Sequence, residues 1–128
     1  MKLLCGGLAV ALAAWLSAGE ASAFSASFRW CSKTPKSTTS PVFTLSKVPK
    51  GTSSFKLSMK DLQAAFDHGG GIVPYGGGRS IPCGEIAYGW VGPFPPKGEV
   101  HTYEFTLKAL DAAGKELGEA HATRRFPE

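Results

Sequence analysis

The sequence predicts an all-β domain, a compact antiparallel β-sandwich with little helix, and three observations predict it. His101, Tyr103, Phe105 and Leu107 alternate with Thr102, Glu104, Thr106 and Lys108, and a period of two is that of a strand with one buried face. Two further runs carry the same period: Phe24, Ala26, Phe28 and Trp30, then Phe55, Leu57 and Met59. Between them stands dense turn punctuation, including Gly69-Gly70-Gly71 and Gly76-Gly77-Gly78. Glycine clusters so close together imply tight reversals or close backbone approach, not helix.

In chain order, residues 24–30 read as a strand running into Cys31, and residues 32–40 as a polar Ser/Thr/Lys loop. Residues 42–45 make a short strand. Val48-Pro49-Lys50-Gly51-Thr52 is a turn in which Pro presets φ and Gly relieves the end. Residues 55–60 alternate as a half-buried strand. Residues 61–66 are expected to form a helical turn ended by Gly69-Gly70-Gly71, with Ile72-Val73-Pro74-Tyr75 a brief extended run after it. Residues 81–88 lead into Gly92-Pro93-Phe94-Pro95-Pro96-Lys97-Gly98, a rigid turn that delivers the strand beginning at His101. Residues 111–115 form a turn, and residues 117–126 return as the last strand.

At 128 residues the chain is one domain by default. Its first 23 residues read as a secretory signal. Lys2 supplies the positive start, residues 8–16 an apolar stretch too short to span a bilayer comfortably, and Ala21-Ser22-Ala23 the small-x-small cleavage form. The expectation is an exported protein, periplasmic or secreted, whose mature domain is residues 24–128 and has no transmembrane segment. Signal removal takes Cys5 and leaves Cys31 and Cys83, most simply one disulfide in an oxidising compartment.

The net charge of +4 is spread along the chain as a solvated surface, and no nucleic-acid reading motif accompanies it. His68-Gly69-Gly70-Gly71 matches an oxyanion-hole string, but no G-x-S-x-G elbow supplies a nucleophile, so the chain reads as non-enzymatic. His68, His101 and His121 have no i,i+3 or i,i+4 partner, so no metal is expected. Neither G-x-G-x-x-G nor a P-loop is present, and no cofactor is expected.

Trp90-Val91-Gly92-Pro93-Phe94-Pro95-Pro96-Lys97-Gly98 followed by His101-Thr102-Tyr103-Glu104-Phe105 resembles the phosphatidylethanolamine-binding protein family, including its bacterial members that look like Raf kinase inhibitor proteins. Residues 40–52 are similar to the segment entering that family's core, and the resemblance extends to Ala109. It implies a β-sandwich with a small pocket at one end for phosphate-like or phospholipid headgroup ligands. Of the family's acidic segment only Asp61 matches, and of its His-aromatic pair only His68. The implied ligand-binding set is therefore Asp61, His68, Gly92, Pro93, Pro95 and His101, with Trp90 and Tyr103 as walls.

Physically, glycine-turn amides and two imidazoles can donate to phosphate. Asp61 orients a histidine or meets an ammonium, which would suit a phosphoethanolamine headgroup. The alternative is a protein-interaction or inhibitor module with a degenerate pocket, contacting an envelope protein.

Overall fold

A computed structural model describes residues 23–128. The expected signal segment, save its last residue Ala23, and Cys5 lie outside the described residues. Seven strands follow in order: β1 (Ser25–Arg29), β2 (Val42–Ser46), β3 (Ser54–Asp61), β4 (Phe66–Pro74), β5 (Ser80–Ile81), β6 (His101–Leu110) and β7 (Glu116–Phe126). They form two antiparallel sheets, ordered β1-β2-β5 and β4-β3-β6-β7. The expected β-sandwich is what the chain adopts. Among the described residues no helix is long and apolar enough to cross a membrane.

The alternation in β6 and β3 decides what faces the core. Tyr103, Phe105, Leu107 and Ala109 point inward from β6, and Phe55, Leu57 and Met59 from β3. Phe28 and Phe43 answer from the other sheet. Phe105 sits at the centre, edge-on to Phe43 at 4.9 Å and to Phe28 at 5.1 Å between ring centroids. Each such ring, fully buried, stabilises the fold by about 2 kcal/mol.

Residues 61–66 differ from expectation. They are not helical: β3 runs to Asp61, a turn covers residues 62–65, and β4 begins at Phe66. Nor do Gly69, Gly70 and Gly71 end an element, since they lie inside β4. The reason is close backbone approach. A Cβ on Gly70 would overlap the Leu57 carbonyl, and one on Gly69 the Gly89 carbonyl. The segment around Gly89 can therefore lie directly on β4, with Gly70 N–H donating to Gly89 O at 3.0 Å.

Cys31 and Cys83 are disulfide-bonded, with Cα atoms 6.0 Å apart. The bond joins the loop after β1 to the loop after β5. Hydrogen bonds zip these loops together: Gly84 N–H to Ser40 O (2.9 Å), Gly92 N–H to Ser37 O (2.9 Å) and Lys36 N–H to Pro93 O (3.0 Å). The paired loops close one end of the sandwich, where β3 ends and β6 begins.

Candidate functional site

Strand register brings the site together. Asp61, the last residue of β3, lies opposite Tyr103 of β6. Strand periodicity turns Asp61, Tyr103 and His101 all inward. His101 is thus the diagonal neighbour of Asp61, and its Nδ1–H donates to Asp61 Oδ2 at 2.6 Å. The other carboxylate oxygen, Oδ1, accepts from Gln63 N–H at 2.8 Å and Ala64 N–H at 3.0 Å. One side chain therefore closes the β3–β4 turn and holds an imidazole.

His68 reaches the same place by a bulge. Met59 pairs with Gly69 but Lys60 pairs with Asp67, leaving His68 as the extra residue of β4. A bulge re-aims a side chain, and His68 is buried while Asp67 stays exposed. Gly69 takes the left-handed conformation this requires, at φ +79°, and Asp67 Oδ1 accepts its N–H at 2.8 Å. His68 Nδ1–H donates to Val91 O at 2.9 Å, and Val91 N–H to His68 O at 3.0 Å. Because Nδ1 is committed to a carbonyl, Nε2 is the ring nitrogen left for a ligand.

A cavity of about 390 Å³ opens at this end of the sandwich. Asp61, His68, Gly92 and His101 line it. So do groups that the sequence reading did not single out: Lys36, Phe66, Val91, Phe94 and Pro96. Lys36 Nζ lies over the Phe94 ring, 4.0 Å from its centroid. Phe66 and Phe94 remain 55% and 56% exposed at the mouth.

The rest of the implied set falls behind or beside this surface. Tyr103 does not line the cavity. It stands behind both imidazoles, its ring centroid 5.3 Å from that of His68 and 6.5 Å from that of His101. Trp90 stacks on Phe105 at 6.2 Å and belongs to the core. Pro93 and Pro95 shape the turn, Pro93 through its carbonyl to Lys36, without lining the cavity. The expected glycine-turn donor is also spent. Gly92 N–H is bonded to Ser37 O, and glycine stands there because a Cβ would come within 2.7 Å of that oxygen.

The electrostatics follow from these contacts. For His101 the hydrogen bond to Asp61 is the largest influence; it outweighs burial, and with help from Glu99 the imidazole pKa rises above its usual 6.5. For Asp61 burial is the largest single influence and favours the neutral acid. The bond from His101 and the amides of Ala64 and Gln63 together outweigh it, and its pKa lies below the usual 3.8. His101 Nε2 faces Glu99 Oε2 at 3.6 Å, and the Glu99 side chain is more than half exposed. The Tyr103 hydroxyl is buried without a hydrogen-bond partner. Burial, then the Asp61 charge, pushes its pKa well up, so it stays a neutral donor.

His121 has no part in this. It sits on the outer face of β7 with Thr106, Glu104 and Glu119.

No family model and no curated protein matches the chain. Solved structures do. One is a phosphatidylethanolamine-binding protein homologue from Chlamydia trachomatis, similar with a TM-score of 0.61 and 15% identity over 84% of this chain and 99% of that one. Another is Escherichia coli YbcL, described as a new member of the mammalian phosphatidylethanolamine-binding protein family. Its TM-score is 0.51, with 21% identity over 70% of this chain and 80% of that one. These likenesses concern the fold: the chain has a β-sandwich of the phosphatidylethanolamine-binding protein type.

Proposed function

We propose that the chain is an exported, non-enzymatic binding protein whose cavity takes a phosphate-like or phospholipid headgroup anion. The observation that carries this reading is the convergence of His68 and His101 on one cavity of about 390 Å³ that Lys36 also lines. That volume is within the range of small-molecule sites. The fold likeness to proteins described as phosphatidylethanolamine-binding supports the same ligand class. The non-enzymatic reading rests on the sequence, which carries no G-x-S-x-G nucleophile to accompany the histidines. The disulfide suits an oxidising compartment, periplasmic or extracellular.

Calorimetric titration with inorganic phosphate and phosphoethanolamine tests the reading. Saturable binding is expected, weakened about tenfold in His101→Ala by loss of one charge-assisted hydrogen bond. Equal binding by His101→Ala would argue against this site.

One observation favours a second reading, a protein-interaction module. Leu62, Phe66, Phe94 and Val100 are large apolar side chains left exposed at or beside this end of the sandwich. An envelope protein is the partner class this suits. A pull-down from envelope extracts that survives both His101→Ala and Asp61→Ala would favour that module over the ligand cavity.

A further inference from the structure

We propose that the cavity prefers an anion carried on an uncharged apolar body to a zwitterionic headgroup, with Lys36 the residue that sets this preference. The proposal rests on reading the cavity as an anion site and narrows what that site accepts.

Groups that recognise an ammonium are carboxylates and aromatic faces. Asp61 is the one carboxylate among the residues that line this cavity. Asp61 spends Oδ2 on His101 and Oδ1 on the Gln63 and Ala64 amides. Asp67 caps Gly69 N–H. Glu99 faces His101 Nε2. Lys36 itself covers Phe94, and Phe66 is set edge-on to His68, centroids 4.8 Å apart. An ammonium group brought into the cavity would meet the Lys36 cation and an Asp61 carboxylate that already holds three hydrogen bonds.

An anion meets the opposite situation. Lys36 supplies an ammonium held over the Phe94 ring, on a loop fixed by the Cys31–Cys83 bond and by Lys36 N–H to Pro93 O. His68 Nε2 and His101 Nε2 are the imidazole positions open to it, the latter once exposed Glu99 swings away. A lone phosphate would leave most of the cavity unfilled. Its remaining walls, Phe66, Val91, Phe94 and Pro96, are carbon. Covering the two half-exposed rings would add about 25 cal/mol per Å² buried. The chemistry recognised is therefore a phosphomonoester or similar anion on an aromatic or aliphatic body, either a small free ester or a lipid whose headgroup carries no ammonium.

Calorimetry on the mature, disulfide-bonded protein tests this with four probes: inorganic phosphate, phenyl phosphate, phosphoethanolamine and a short-chain phosphatidic acid. Phenyl phosphate should bind about tenfold tighter than phosphoethanolamine. Lys36→Met, which removes the charge and keeps an unbranched side chain of similar length, should lose about tenfold for phenyl phosphate, and Lys36→Arg should recover most of it. Tighter binding of phosphatidic acid than of phenyl phosphate would support a lipid source, and the reverse order a small free ester. Phosphoethanolamine binding as tightly as phenyl phosphate, or an unchanged Lys36→Met, would overturn the selectivity while leaving the anion site standing. Failure of all four probes to bind would overturn the anion site itself.

Discussion

His101 Nδ1 and Asp61 Oδ2 are 2.6 Å apart, joining the first residue of β6 to the last residue of β3 across the sheet. The same carboxylate closes the β3–β4 turn through Gln63 and Ala64. Asp61→Ala therefore loosens the hairpin as well as the histidine. It should cost about 2 kcal/mol, the worth of hydrogen bonds to a charged acceptor, read as a lowered urea midpoint. The His101 imidazole pKa, followed by NMR, should fall in the same variant, since its largest upward influence is gone.

The pair also fixes a pH window. The folded pKa of His101 is raised, so its contribution to stability is complete below about 6.5 and is lost as pH climbs through the folded value. The folded pKa of Asp61 is lowered, so its contribution is complete above about 3.8 and is lost as pH drops through the folded value. Stability from this pair should therefore be greatest between those limits, and in His101→Gln the decline on the alkaline side should flatten. Chemical denaturation at stepped pH measures both arms.

Glu99 competes with any anion for His101 Nε2, from 3.6 Å and a largely exposed position. Glu99→Gln should tighten binding of phenyl sulfate, a probe that does not itself titrate, by about threefold, the size of a surface ion pair. Weaker binding in that variant would mean Glu99 orders the imidazole instead of blocking it.

The glycines of β4 and of the following loop should respond very differently to a side chain. A Cβ at Gly70 meets the Leu57 backbone, whereas one at Gly76 meets nothing within 4 Å. Gly70→Ala should destabilise by about 3 kcal/mol, as overpacking of a tight interior does. Gly76→Ala should change stability by less than about 0.5 kcal/mol. Thermal melts of the two variants give the comparison.

The Cys31–Cys83 bond closes a loop with a sequence separation of 52. In the chain-entropy picture it stabilises by about 4 kcal/mol. Cys83→Ser should approach that loss. Because the bond anchors the loop carrying Lys36, the variant should also bind anions more weakly under conditions where it remains folded. Thiol labelling of a chain spanning residues 24–128 should detect no free thiol.

What could be read from the sequence is what depends on period and punctuation. The β6 alternation states which side chains face inward, and so places His101 and Tyr103 on the core side before any contact is known. The Pro-rich turn states where the chain must stiffen. The bulge at His68 left no such mark, because a bulge changes pairing without changing composition. The triple glycine in β4 pointed to close approach but not to its partner, since Gly89 is 20 residues away from Gly69 in the chain and meets it only through the fold. Lys36 was one of two lysines in a polar loop; hydrogen bonds between Lys36 and Pro93 and between Ser37 and Gly92 bring it to the cavity.

The central claim is that His68 and His101 face a common anion site while His121 does not. Histidine-ring NMR during titration with inorganic phosphate tests it within one molecule. The account predicts saturable shifts at His68 and His101 and none at His121, which lies on the outer sheet face. No shift at His101 at millimolar phosphate, or an equal response from His121, would contradict it.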